Sequence, residues 1–600
     1  MSGGNDLERP SIENIKEDLT VLCSIENKIA GTPNEKRAME YVEGRLRGYG
    51  IENVESSTFE VQSWKPIKCI LKVTKPVKRT LKSAMFPYYQ SAEVKGDLVS
   101  VNNLSEGRAS RETGMVGLAP WGDQLYHSLN MTYYRATEQN LKAILIASRD
   151  EGGLRKVVVV DSGRPLKVPV ISISKEDGDY LFALLEKERV TVEIEAEAET
   201  TADAESMNLE VKIGGQGDVD HEIIVGTHVD SWFVGAAGNS ASVAVLLELA
   251  RLLNRHLRNG GVLKRRVKLL FFGAQNCGAE RFYHWCIGSR VWVENHPVEV
   301  EKDAAVLSLE SIGFPKPAQR CLVTTIDLSN FVRGLPVNEE AGQTVEYLDP
   351  PPAYGSDHWF FQISGVPTIN GISYPSPLHH TQKDDLEHLD YDAVQYYAEF
   401  TLDAVLHLAN RELLPIDLFG TLERFHTIVS KYNGIDNPFD IDSLLVKIEG
   451  IRAMRNEFQK ALKGITGAGD IESLRKTNDF LVSATHFFNK TIGWLWRGTD
   501  DIEYYDVGYL SRLEMIEDYM SLSTSITSLR STPLGMLGPE RVERYESHPD
   551  NAYNWMYIHE PLYKLERERS RVFRLIDEEI NNLSGILDRV AKGIGDIIGE

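Results

Sequence analysis

No C-x-x-C pair occurs in the sequence, and its five cysteines, Cys23, Cys69, Cys277, Cys286 and Cys321, are odd in number and scattered. That argues against a disulfide framework or a thiolate zinc centre and leaves buried free thiols as the reading. No run approaches the roughly 20 apolar residues that a membrane-spanning helix needs. The opening stretch, Met1 to Pro10, is polar and acidic and lacks the apolar core of a secretory signal. These features predict a cytoplasmic protein with no membrane partner. Basic charge is also short: 65 Lys and Arg face 88 Asp and Glu, a net charge of −23. A phosphate-backbone partner requires a concentrated basic face, so nucleic acid is excluded. Internal repeats and low-complexity tracts are missing too.

What the chain does have is length and a change of texture along it. Six hundred residues exceed what one hydrophobic core usually spans, so several domains are expected. Ser11 to Gly50 reads as two amphipathic helices, with Ile12, Ile15, Leu19 and Leu22 on one face of the first. Val54 to Val77 reads as strand. From about Thr80 to Thr200, short β runs (KGDLVSV, KAILIAS, KVVVVD and VPVISIS) are separated by Gly, Asp and Ser, with one helix at Glu176 to Glu188. Past Met207, strands alternate with long helices, the pattern of a mostly parallel sheet covered on both faces. After Pro415 strand signals nearly vanish, and amphipathic helices such as Ser443 to Lys463 take over.

Five motifs fall at the predicted carboxyl ends of strands, where open α/β sheets place ligands. They are His228-Val229-Asp230 after EIIVGT; the glycine-rich stretch Gly235 to Ser242; Ala274-Gln275-Asn276-Cys277-Gly278 after RVKLLFFG; SLESIG with Glu310; and His379-His380-Thr381-Gln382-Lys383-Asp384. An imidazole binds metal through one nitrogen, and a nearby carboxylate can orient the ring. Singly, each histidine reads more readily as a surface or satisfied core group. Their joint order carries the weight.

That order resembles the M28 zinc exopeptidases, whose pattern is an H-x-D strand end, a GA-x-DN loop, an AEE-x-G strand end, an NLD-x-IG strand end and a late YHT-x-x-D. The resemblance implies an α/β sandwich over residues 1–80 and 205–412. It further implies an inserted β-rich protease-associated domain over 81–204, and a helical domain over 413–600 similar to the dimerisation domain of the glutamate carboxypeptidase II and transferrin receptor branch. Carried over residue by residue, it makes His228 and His380 metal ligands, with Glu310 in place of a ligand aspartate and Asp230 and Asp384 in supporting positions behind them. Gly238 stands where the family has the aspartate that bridges two metals, Gln275 where it has the general base, and Asn276 where it has a ligand glutamate.

One carboxylate, Glu310, thus remains of three. Two zinc ions about 3.5 to 4 Å apart repel by on the order of 17 to 19 kcal/mol at an effective dielectric near 20, so a two-metal site is not expected. A single, weaker zinc site is the alternative, built on His228 with Glu310, or on His380 with a carboxylate such as Asp357 or Glu280. Two readings of function follow. One is a pseudopeptidase that binds a peptide, a small molecule or a protein partner; the other is an exopeptidase or related amidohydrolase with a reorganised, single-zinc site. In the tail, Phe573, Ile576, Ile580, Leu583, Leu587, Val590 and Ile594 form an apolar seam. The seam predicts a homodimer through the C-terminal helices or, equally, packing against the Leu444 to Leu462 helix.

Overall fold

The structure is a computed structural model that describes residues 8–101, 114–122, 127–217, 220–278, 285–336, 345–348, 356–434, 438–492, 513, 515–530 and 560–599. The chain forms two compact units, one running from the N-terminus to Ile416 and one made of the helices from Asp417 onward.

In the first unit, α1 (Ile12–Cys23) is capped by the Ser11 hydroxyl, and α2 (Pro33–Gly48) starts on Thr32 with proline at its first turn. Strands β1 (Val54–Lys75), β2 (Arg79–Leu81), β3 (Ser83–Met85), β4 (Ser91–Ser100) and β5 (Val116–Pro120) follow, then α3 (His127–Glu138), β6 (Ala143–Ala147), β7 (Val170–Ile173), α4 (Lys175–Leu185) and β8 (Thr191–Gly214). The helix expected at Glu176 to Glu188 is α4. KVVVVD, expected as a strand, joins no ladder: Val157 donates its N–H to the carbonyl of His380, and Val157 to Val160 run buried outside the sheet.

The chain continues through β9 (Glu222–His228), α5 (Ala241–Arg258), β10 (Arg266–Phe272), α6 (Ile287–Asn295), α7 (Pro297–Val300), β11 (Asp303–Glu310), β12 (Gln319–Thr324), α8 (Ile326–Arg333), β13 (Val345–Leu348), α9 (His358–Ile363), β14 (Thr368–Tyr374) and α10 (Tyr391–Asn410). The sheet runs β13-β12-β14-β11-β9-β10-β8-β4-β5-β6-β7-β3. Strands β10, β9, β11 and β14 are mutually parallel, so their carboxyl ends share one edge. They read as continuous apolar runs because both faces are covered.

Helix α5 lies against this sheet with Val243, Leu246, Leu247, Ala250 and Leu253 fully buried, each large aliphatic side chain contributing about 1.5–3 kcal/mol. The segment Ala236–Arg258 is long and apolar enough by composition to cross a membrane, which the sequence reading did not anticipate; 94% of its apolar window is buried inside the fold.

β1 and β8 pair antiparallel from Val54 opposite Val211 to Lys75 opposite Thr191. One half of β8 joins β10 and the other joins β4. The two positions expected to bound the inserted segment therefore fall inside β2 and β8, and one hydrophobic cluster takes in Leu98, Leu145 and Ile171 together with Trp64, Trp232 and Cys277. Within the inserted segment, β4, β5, β6 and β7 are parallel neighbours, with α3 crossing between β5 and β6.

The second unit contains α11 (Leu418–Ser430), α12 (Ile441–Ala453), α13 (Arg455–Ala468), α14 (Ile471–Ile492), α15 (Met515–Arg530) and α16 (Glu560–Ile598). The single helix expected at Ser443 to Lys463 is divided at Met454 into α12 and α13. The apolar seam of α16 finds its partners inside this unit. Ile576, Leu583, Leu587, Val590 and Ile594 are buried, α16 packs on α12, α13, α14 and α15, and Phe573 stacks on Phe439 at 5.2 Å.

Candidate functional site

His228 ends β9 and Glu310 ends β11, with β10 on the other side of β9 leading into Gln275 and Asn276. The parallel register therefore brings three of the five motifs to one edge. The Nε2 of His228 lies 3.1 Å from Oε1 of Glu310, and its Nδ1 is 3.0 Å from the Asp230 carbonyl and 3.2 Å from the Asp230 carboxylate. Burial opposes charging this ring, but the flanking carboxylates of Glu310 and Asp230 outweigh it and hold the imidazole protonated well above its ordinary range.

The Asp230 carboxylate also accepts the backbone N–H groups of Gln275 and Asn276, each at 2.8 Å. It thereby ties the strand end of β10 to that of β9. The Asn276 amide turns back and donates to the Asp230 carbonyl at 3.3 Å.

Asp384 holds a different loop. Its carboxylate accepts the N–H groups of Ala237 at 2.7 Å and Gly238 at 3.0 Å, and its carbonyl accepts that of Ala236. Burial lifts the carboxyl to about 6, and those two N–H donors limit the rise. Asn239 completes the loop by donating to the Thr227 hydroxyl and the His228 carbonyl while accepting from the N–H of Ser311. A Cβ on Gly238 would stand 3.3 Å from both the Asp384 carboxylate and the Ser311 hydroxyl, and 3.8 Å from the ring of His379. Position 238 thus faces into the site.

His379 and His380 have ring centroids 3.7 Å apart, and His380 also lies edge-on to Trp232 at 6.5 Å. Burial lowers the pKa of His379 to about 3 and pushes that of His380 well below the ordinary imidazole range, so both rings stay neutral. The Nδ1 of His380 is buried without a hydrogen-bond partner.

Sequence reasoning assigned Asp357 to His380, yet electrostatically it sits with His228 and Glu310. It is 1% exposed, and neither of its oxygens has a hydrogen bond of normal geometry, although the Ser289 hydroxyl is close enough to favour its charged form. Burial raises it to about 7, with His228 opposing. Glu280 lies outside the described residues. Two groups carried no sequence signal, because each is a single charge in a helical or loop segment. Glu35 accepts from Gly31, Ala274 and Ser206, and the Lys28 ammonium donates to the carbonyls of Val234 and Ile25 beneath the glycine-rich loop.

A zinc ion takes imidazole, thiolate or carboxylate ligands at about 2.0–2.3 Å, four in a closed site or three plus water in an open one. His228 and Glu310 are spaced to contribute two. The orphaned oxygens of Glu310 and Asp357 are chemically suited to a cation, but among the described residues no group of three or more His, Cys, Asp or Glu side chains is arranged to hold a metal ion. Gly238 offers no donor, and Asn276, whose side-chain N–H turns to the Asp230 carbonyl, could offer only a neutral amide oxygen, a poor zinc donor beside carboxylate, imidazole or thiolate. The residues present do not fit a zinc pair.

Residues 208–405 match peptidase family M28. The chain is 25% identical over 319 residues to aminopeptidase YwaD of Bacillus subtilis, covering 50% of this chain and 64% of that protein. It is 24% identical over 287 residues to mouse transferrin receptor protein 2, covering 42% of this chain and 34% of the receptor, so the match spans about a third of that relative's length. The solved structure of a zinc aminopeptidase from Bacillus subtilis superposes with a TM-score of 0.53 at 20% identity, over 68% of this chain and 97% of that one. The α/β fold is therefore shared with the M28 aminopeptidases.

Proposed function

Because this chain is a homologue of the M28 metallopeptidases, we propose that it is a catalytically impaired member, a pseudopeptidase that acts by binding a peptide, a small ligand or a protein partner. The observation that carries the reading is Gln275. By resemblance it stands at the general-base position, its backbone N–H is fixed by Asp230, and its neutral amide cannot take a proton from water at physiological pH. Gly238, facing the centre of the site with no side chain, supports it further.

A second reading draws support from the buried, unpartnered oxygens of Glu310 and Asp357 beside His228, which favour a single cation and a reorganised exopeptidase. One experiment separates the two: the metal content of purified protein by plasma mass spectrometry, together with turnover of aminoacyl anilides and acidic dipeptides. Stoichiometric zinc with chelator-sensitive cleavage would sink the pseudopeptidase.

We also retain three proposals about setting. The inserted segment serves as a protease-associated domain. The protein is cytoplasmic, consistent with five free thiols, which subcellular fractionation would test. It self-associates through a surface other than the α16 seam, whose apolar face is already covered within its own unit.

A further inference from the structure

A cavity of about 250 Å³ opens between β1, β3, the buried run that starts at Val157 and the loop that follows β9. Its walls are aromatic. Trp64 and Trp232 meet edge to face with ring centroids 6.4 Å apart, Phe233 and Met85 line the cavity beside them, and Ile67 stands at its rim, 49% exposed. Such rings gain by packing against one another, yet here they leave room for one more. The backbone holds this wall in a strained form. Phe233 adopts a left-handed conformation, φ +52°, which a bulky residue rarely takes. Asn27 enforces it: the Asn27 side chain accepts the Phe233 N–H at 3.1 Å, and the Phe233 carbonyl accepts the Asn27 N–H. The phenyl ring is thereby left half-buried at the cavity, and strain of this kind, about 1–3 kcal/mol, gathers at ligand clamps.

Its lining offers no free charge. Lys68, the only charged side chain among the described residues that line it, is ion-paired with Glu195. The Cys69 thiol lies 3.3 Å from the Ser83 hydroxyl and stays neutral, because burial pushes it up to about 11 against the opposing effects of Ser83 and Arg155. One polar group is left over. Trp232 is 4% exposed, and its indole N–H has no acceptor among the described residues, an omission that costs about 1–3 kcal/mol. A ligand suited to these walls is therefore uncharged and aromatic, with one carbonyl oxygen beside the ring.

The cavity shares a wall with the candidate site. The Trp232 indole lies edge-on to the His380 ring at 6.5 Å, and Val157, in the cavity wall, donates its N–H to the His380 carbonyl at 3.0 Å. We propose that the cavity is an effector site for a small, neutral aromatic carbonyl compound, held between Trp64, Trp232 and Phe233, whose occupancy steadies the His380 loop through Trp232 and Val157. The inference goes beyond the function proposed above and holds whether or not the chain cleaves peptides, since it uses none of His228, Gly238, Gln275 and Glu310.

The test uses the full chain with benzamide as the probe and Cys69 as the reporter, because Cys69 is half-buried while the other four thiols are buried. Benzamide should slow alkylation of Cys69 by iodoacetamide and slow amide exchange at Val157. Its calorimetric affinity should exceed that of benzoate, which brings a charge that nothing in the lining pairs, by at least about tenfold. Cyclohexanecarboxamide, which lacks the aromatic ring, should bind more weakly than benzamide. Ala84→Phe, which places a ring in the cavity from β3, and Ile67→Ala at the exposed rim should each weaken benzamide. Absence of saturable binding, benzoate or cyclohexanecarboxamide bound as tightly as benzamide, binding that leaves Cys69 and Val157 unaffected, or wild-type affinity in both folded variants would overturn the site.

Discussion

The Nε2 of His228 lies 3.1 Å from the Glu310 carboxylate, with both side chains almost fully buried. Removing the imidazole leaves Glu310 and its neighbour Asp357 as buried carboxylates without a cation. Breaking a buried pair in this way costs about 3–5 kcal/mol. His228→Ala should lower the urea midpoint of the α/β unit accordingly, and the double change His228→Ala with Glu310→Gln should recover part of the loss. A single variant as stable as wild type would mean that the pair contributes nothing.

Placing carboxylates at positions 238, 275 and 276 tests the proposed pseudopeptidase in reverse. The wild-type protein should purify without stoichiometric zinc and cleave no peptide above background. Gly238→Asp combined with Gln275→Glu and Asn276→Glu should gain zinc binding with weak activity at best, because Glu310 reaches one methylene further than an aspartate. Without metal the triple variant should be less stable than wild type, since an aspartate at 238 is set against Asp384. Zinc titration followed by thermal melting reads both effects.

Asp230→Asn replaces an acceptor of two backbone N–H bonds, to Gln275 and Asn276, with a group that has one acceptor oxygen. Leaving one buried N–H without its charged partner should cost about 1–3 kcal/mol. Faster amide exchange at residues 275 and 276, ahead of exchange in β10 itself, is the expected signature.

His358 is buried with neither ring nitrogen hydrogen-bonded, and burial lowers its pKa to about 4. A depressed folded-state value means that its contribution is fully present above about pH 6.5 and is lost as pH falls through about 4. The shift corresponds to about 3 kcal/mol. His358→Leu should leave neutral-pH stability nearly unchanged and flatten the loss between pH 6.5 and 4, read from urea midpoints across that range. Parallel profiles for the two proteins would refute this.

In the helical unit, Leu583 and Leu587 are 2% and 1% exposed on α16. Leu587→Asp buries an unpaired charge and should destabilise the unit by more than the roughly 2–5 kcal/mol that an alanine there would cost. Light scattering near 67.5 kDa for the wild-type chain would count against self-association, whereas a dimer that survives Leu583→Ala would place the contact away from the seam.

Periodicity and motif order sufficed to predict that β9 and β11 end at His228 and Glu310, that α5 is an apolar core helix and that α16 carries one apolar stripe, because each is a local pattern, a short continuous apolar run for the strands and a spacing of three or four residues for the helices. Such patterns say which face is apolar but not what covers it. Only the tertiary structure decided that the α16 seam packs within its own unit, that KVVVVD leaves the sheet to bond His380, that Asp384 grips Ala237 and Gly238 from 147 and 146 residues away, and that Asp357 joins His228. The first is apolar packing between helices, and the others are hydrogen bonds or a charge placement fixed by the register of parallel strands and the loops between them; all join segments far apart in sequence, and no local spacing encodes them.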